Sequence, residues 1–203
     1  MKRIGLTQRV INHSQYAERR DVLDQRWTNL VFALGMLPVP IPNRIQNVNI
    51  FINELQLDGI ILTGGNDLVV CGGDAPERDV LEKNILSFAV KNLFPVIGIC
   101  RGMQMIYHYF DGILEKVTGH VTPAQEITIL EKKRVVNSYH NWGFSKVNSY
   151  FHVWAIANDG VIKAFSHKLY PLLGIMWHLE RDENLNLQDL TFLKDFLYQH
   201  FVQ

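Results

Sequence analysis

The chain has 203 residues, 47% hydrophobic and 20% charged, enough for one domain with a large core and short for two. Its 20 Lys and Arg balance its 20 Asp and Glu, so the charge gives no reason to expect nucleic acid or an acidic membrane as partner. Cys71 and Cys100 make no disulfide framework and no CxxC motif, no signal peptide follows Met1, and the apolar runs are far short of a membrane span. The expectation is a cytoplasmic protein with one domain over residues 1–203, without metal or cofactor and with its oligomeric state open.

In chain order, residues 4–7 read as a first strand. Residues 21–34 carry Val22, Leu23, Trp27, Leu30, Val31 and Leu34 at helical spacing, with Gly35 as a stop. Residues 37–41 form a short strand whose prolines at 38, 40 and 42 favour a sheet edge or a strand end. A weaker helix covers 46–56, and a buried strand over 58–63 ends at Gly64-Gly65. Residues 78–92 place Val80, Leu81, Ile85, Phe88 and Ala89 on one side of a helix. Residues 95–99 make another buried strand, and a helix starts near Arg101 and ends near Asp111. This alternation predicts an α/β fold with a mostly parallel central sheet flanked by helices. Residues 125–136 and 142–176 read as an antiparallel extension, with breaks at 131–133 and 158–160. Residues 172–177 return as a central strand, and a last helix covers about 189–201, with His200 on it.

The chemistry concentrates at Gly98-Ile99-Cys100-Arg101-Gly102, where an apolar strand runs directly into a helix. Small residues two before and two after Cys100 allow a sharp turn that throws the thiol above the sheet. A helix N-terminus there favours thiolate over thiol. The alternative for any cysteine is a buried core position, and Cys71, in Val69-Val70-Cys71-Gly72-Gly73, is read as structural or incidental.

A nucleophilic thiol needs a base held by an acceptor. Of eight histidines, His178 follows a buried strand in Met176-Trp177-His178-Leu179-Glu180. If that segment stays extended, His178 and Glu180 point the same way; the bland reading is a surface histidine beside a surface glutamate. An oxyanion needs two N–H donors. Arg101 offers one, and Thr63-Gly64-Gly65-Asn66-Asp67 offers the other or is a plain turn.

At this point the sequence resembles a known family, the class I glutamine-amidotransferase-like hydrolases, in the γ-glutamyl-γ-aminobutyrate hydrolase branch called peptidase family C26. The matching stretches are Leu62-Thr-Gly-Gly-Asn-Asp67, Arg78-Asp79 with Glu82, Gly98-Ile-Cys-Arg-Gly-Met-Gln104, Val136-Asn-Ser-Tyr-His140 and Trp177-His-Leu-Glu180. They stand in the family's order over nearly the whole chain. The resemblance implies a Cys100–His178–Glu180 triad and an oxyanion hole from the amides of Gly65 and Arg101, with Gly64 among the substrate-binding residues. It implies that Gln104 helps hold a γ-glutamyl group, that Asn137, Ser138, Tyr139 and His140 belong to a loop lining the glutamate pocket, and that the intermediate is a thioester.

Departures lie around the leaving group. Leu179 replaces the family's usual proline, only residues 68–77 stand where a longer insert is usual, and Asn141-Trp142 replaces the usual His-Gln. The stretches 136–143 and 177–182 are similar to those of the γ-glutamyl-CDP-amidate hydrolases of capsule phosphoramidate biosynthesis. That similarity implies a nucleotide-linked γ-glutamyl amide as substrate. Trp142 would then stack on a base, or it is a core tryptophan. Arg19, Arg20, Arg26 and Lys146 would meet a diphosphate, or they form a solvated face. The rival roles are a glutaminase subunit passing ammonia to a partner synthetase and a non-enzymatic binding protein on the same fold.

Overall fold

Residues 1–182 and 184–199 are described here in a computed structural model. The chain opens with β1 (Arg3–Thr7) and a hairpin of β2 (Arg9–His13) and β3 (Glu18–Val22). It continues through α1 (Gln25–Ala33), β4 (Leu37–Ile41), α2 (Val48–Glu54), β5 (Gly59–Leu62), α3 (Pro76–Asn92), β6 (Val96–Ile99) and α4 (Arg101–Tyr109). The second half adds β7 (Glu115–Lys116), β8 (Val121–Ile129), β9 (Lys132–Tyr139), β10 (Trp142–Gly143), β11 (Phe151–Ala157), β12 (Ile162–His167), β13 (Leu172–Ile175) and α5 (Leu187–Gln199).

Among the described residues a nine-stranded sheet runs β4-β1-β5-β6-β13-β12-β11-β8-β9. The strands from β4 to β13 are parallel, and those from β13 to β9 pair antiparallel. The molecule is therefore a single α/β domain of the expected class, with β13 central. One sheet face buries Trp27, Leu30 and Val31 of α1 with Leu193 and Leu197 of α5; the other buries Ile52, Leu81, Ile85, Met103 and Ile106 from α2, α3 and α4. Each such side chain contributes about 1.5–3 kcal/mol when fully buried. The edge position of β4 follows from its prolines. Leu37 donates its N–H inward to the Lys2 carbonyl at 2.7 Å, so the alternate positions Pro38 and Pro40 face away from β1, where no donor is needed.

Two expectations are corrected. The helix predicted over 21–34 starts only at Gln25, with Asp24 as N-cap, because residues 18–22 belong to the hairpin. That hairpin carries Glu18-Arg19-Arg20-Asp21, which has no apolar alternation, and it is held by docking. Arg19 pairs with Glu77 at 2.5 Å and bonds the Asp74 carbonyl at 2.6 Å, while Asn66 exchanges two side-chain bonds with the backbone of Val10. The hairpin thus docks on the end of the 68–77 segment, at Asp74 and Glu77, while Val69 and Val70 stay exposed. On α3, Val80 is 59% exposed, and the buried face instead carries Arg78, Asp79 and Glu82 with Leu81, Ile85 and Ala89. The end of the last helix, with His200 and Phe201, lies outside the described residues. Among the described residues no helix is long and apolar enough to cross a membrane.

Candidate active site

Cys100 joins β6 to α4 with φ 53° and ψ −104°, a strained conformation for a residue with a side chain. The neighbours explain how it is held. A Cβ at Gly98 would strike the backbone of Gly102, and one at Gly102 would strike the Leu62 carbonyl. Only glycine at both places lets α4 start this close to the sheet. Cys71, by contrast, sits in a 3-10 turn over Val69–Cys71, where burial raises its thiol to about 11. Its thiolate is scarce at neutral pH.

Beyond β13 the chain does not stay extended as the spacing argument assumed. Leu179–Arg181 form a 3-10 turn. The turn still brings the His178 Nδ1 to 2.7 Å from Glu180 Oε1, both side chains buried. Asn137 fastens the backbone there: His178 N–H donates to its Oδ1 at 2.8 Å, and its Nδ2 donates to the His178 carbonyl at 2.8 Å and to Asp182 at 3.0 Å. A Cβ placed on Gly64 would lie 2.7 Å from the His178 ring and 3.6 Å from Cys100 Cβ, so all three residues converge. Burial alone would lower the His178 imidazole, but the Cys100 sulfur and the Glu180 carboxylate outweigh it and raise it to about 9.

The Gly64-Gly65 turn is held from below by charge. Arg78, fully buried, donates to the carbonyls of Thr63, Gly64 and Gly65. With its carbonyl tied down and φ at +87°, Gly65 keeps a backbone orientation that a side chain would disfavour. Glu82 accepts from Arg78 and Thr7 at 2.9 Å each and from Arg101, whose guanidinium also pairs with Asp79. One buried network therefore positions both candidate oxyanion donors: the Gly65 turn through Arg78, and the first residue of α4 through Arg101. Amides in the first turn of a helix lack helical acceptors.

The other expected site residues spread around this centre. Asn137, Ser138 and Tyr139 are the end of β9, not a loop, and His140 follows directly. The Tyr139 carbonyl lies 4.0 Å from Cys100 Sγ, and its ring lies 5.9 Å from His178 and 4.9 Å from the Arg181 guanidinium. Gln104 donates to the Trp142 carbonyl at 2.8 Å. Trp142 is half-buried on β10, with Lys116 5.6 Å from its ring centre. Ser138 and His140 are buried and turn toward Lys163. Arg19, Arg20 and Arg26 are taken up by Glu77, Glu18 and Asp24.

Sequence reasoning missed Arg9 and Lys163. Arg9 is exposed, packs on Gly65, and pairs with no carboxylate among the described residues. With Gly64, Gly65, His178 and Arg181 it lines a small cavity of about 20 Å³. The signal for Lys163 was a lone charge inside the apolar run Val161-Ile162-Lys163-Ala164-Phe165. A larger cavity of about 740 Å³, against α5, includes neither Cys100 nor His178. No cluster of metal-ligating side chains exists among the described residues.

Known proteins share this architecture. A putative GMP synthase subunit from Thermoplasma acidophilum superposes with a TM-score of 0.70 at 20% identity, covering 98% of this chain and 94% of that one, which establishes the shared fold. The γ-glutamyl-CDP-amidate hydrolase of Campylobacter jejuni is 32% identical over 198 residues, spanning 95% of this chain and 96% of its own. The γ-glutamyl-γ-aminobutyrate hydrolase PuuD of Escherichia coli is 26% identical over 198 residues, 78% of each chain. The family model for peptidase C26 matches residues 3–126 and 117–180, taking in the Cys100 elbow, the Gly64-Gly65 turn and the His178–Glu180 pair, and the chain belongs to that family.

Proposed function

We propose that the protein is a cysteine-dependent hydrolase that cleaves a γ-glutamyl amide through a Cys100–His178–Glu180 triad. The observation that carries this reading is the convergence of Cys100, the His178–Glu180 pair and the Gly64-Gly65 turn at one end of the parallel strands. Cys100 Sγ attacks the γ-carbonyl as thiolate, and the amides of Gly65 and Arg101 receive the oxyanion. His178, with its raised affinity for a proton, gives that proton to the departing nitrogen. A γ-glutamyl thioester remains on Cys100. His178 then takes a proton from water, which attacks the thioester and releases glutamate. Glu180 fixes the imidazole tautomer throughout.

The substrate we propose is γ-glutamyl-CDP-amidate, releasing glutamate and cytidine diphosphoramidate. Two findings support it: the near-full-length similarity to the Campylobacter jejuni enzyme, and the free guanidinium of Arg9 beside Gly65, where a diphosphate leaving group would meet it. The test is competition for glutamate release among γ-glutamyl-CDP-amidate, γ-glutamyl-γ-aminobutyrate and glutamine at equal concentration. The CDP-amidate should win by about tenfold or more, or about 1.4 kcal/mol, and Cys100→Ala should abolish all release. A win for γ-glutamyl-γ-aminobutyrate would discard the nucleotide and keep the hydrolase. Glutamine winning only in the presence of a partner protein would replace both with a glutaminase subunit.

A further inference from the structure

Lys163 on β12 is 1% exposed, and its ammonium makes three hydrogen bonds: to His120 Nδ1 at 2.9 Å, Ser138 Oγ at 3.0 Å and His140 Nε2 at 2.7 Å. The far sides of these partners settle which protonation states fit. His120 Nε2 lies 2.8 Å from Asp159, and His140 Nδ1 lies 2.8 Å from the Trp142 carbonyl, so both carry their proton there, and the His120 Nδ1 left as acceptor is shared between Lys163 and Gln125 Nε2, each at 2.9 Å. Ser138 gives its own proton to the His120 carbonyl at 2.9 Å. All three groups facing Lys163 are therefore acceptors, and three acceptors fit an ammonium rather than an amine.

None of the three carries a negative charge, and a buried cation needs one. Among the described residues no carboxylate pairs directly with Lys163. Asp159 is one imidazole away, and its side chain is 52% exposed. Elsewhere beneath the site the charges cancel, Arg78 and Arg101 against Asp79 and Glu82. A thiolate at Cys100, an imidazolium at His178 and a carboxylate at Glu180 leave one surplus negative charge, met from the solvent side by Arg181, whose side chain is 32% exposed and 3.6 Å from Glu180. Lys163 supplies one surplus positive charge behind the same wall: Ser138 and His140 flank Tyr139, whose carbonyl lies 4.0 Å from the sulfur.

We infer that Lys163 is the buried counter-charge of the Cys100–His178–Glu180 group, a positioning residue that favours the thiolate through its field and sets the wall of the pocket through Ser138 and His140. The inference rests on the reading of Cys100 as the nucleophile. The groups facing Lys163 are His120, Asp159 beyond it, His140 and Cys100; His178 faces Cys100 and His140. Burial lowers Lys163 to about 7, with Asp159 and Cys100 drawing it back up, so the counter-charge is lost just above neutrality.

The test needs no substrate. In a Cys71→Ala background, alkylation of Cys100 by the uncharged reagent iodoacetamide is followed across pH by mass spectrometry. Lys163→Met should slow it by about tenfold near pH 6 and converge with the parent at high pH, where the thiol ionises unaided. Lys163→Arg should restore most of the loss. A Lys163→Met profile superimposed on the parent, a deficit equal at every pH, or an arginine variant as slow as the methionine one would each overturn the inference. Should the Lys163 variants not fold, the reciprocal measurement decides. In the full chain carrying Cys100→Ala, the Lys163 ammonium followed by ¹⁵N NMR should titrate at lower pH than in the parent; an unmoved titration overturns the inference. Loss of γ-glutamyl turnover with the alkylation result intact would instead overturn the functional reading alone.

Discussion

Asn137 holds His178 as a neighbouring strand would, with one carboxamide satisfying both the N–H and the carbonyl of the same residue and reaching Asp182 as well. Truncating it leaves buried backbone groups unpaired, at about 1–3 kcal/mol, and frees the imidazole to drift. Asn137→Ala should therefore lower kcat for glutamate release by about tenfold or more with KM little changed, since small misplacements of a catalytic group are costly. A raised KM at unchanged kcat would put Asn137 against substrate instead. His178→Ala should cost about 10²–10⁴-fold in the chemical step. Glu180→Gln should be milder, because an amide still orients the ring. The residue types of the proposed triad were legible in the sequence because Gly98 and Gly102 bracket Cys100 and because His178 leaves a buried strand. Asn137's hold on the His178 backbone was not, because a strand end and a 3-10 turn 41 residues apart meet only in three dimensions.

At the scale of elements, the hairpin of β2 and β3 is the piece that hydrophobic patterning could not show. Its residues 18–21 are all charged, and its order comes from Asn66, Asp74 and Glu77 on another part of the chain. It carries Arg9 to the Gly65 turn. Arg9→Ala should raise KM for γ-glutamyl-CDP-amidate by about tenfold, the scale of one charge-assisted hydrogen bond, and leave glutamine turnover unchanged. An equal effect on both substrates would make Arg9 a support of the turn rather than a contact for phosphate. Helix α3 shows the opposite failure. Its apolar positions suggested a buried Val80, but the helix is rotated to bury Arg78, Asp79 and Glu82, which periodicity scores as surface. The parallel strands β1, β5, β6 and β13 were legible because burial on both faces leaves near-continuous apolar runs.

For the whole molecule, three buried bases contribute opposing terms to the pH dependence of stability, beside the carboxylates whose ion pairs are lost in acid. Burial, with the Lys163 charge behind it, lowers His140 from 6.5 to about 3. Between those values the unfolded chain binds a proton that the folded chain does not, so stability rises with pH across that window. His178, raised from 6.5 to about 9, acts oppositely: the folded chain holds the extra proton, and stability falls as pH climbs through that range. Lys163, lowered from 10.5 to about 7, raises stability from about 7 upward and offsets His178. Urea midpoints should climb through the acid range and level off above neutrality. His140→Gln should flatten the acid limb; an unchanged slope would mean that His140 does not control it.

The two open edges of the sheet have a consequence for a chain of zero net charge, which lacks the mutual repulsion that keeps most proteins apart in concentrated solution. An unpaired strand invites a second chain to add to it. On one side, Pro38 and Pro40 face outward and offer no donors; on the other, β9 begins with exposed Lys132 and Lys133. Local obstruction at the margins thus replaces global repulsion as the guard against aggregation. Restoring both outward donors with Pro38→Val and Pro40→Val should leave the fold intact yet drive the protein into higher-order species on standing, detectable by light scattering, while either acidic or basic supercharging of the remaining surface should rescue it.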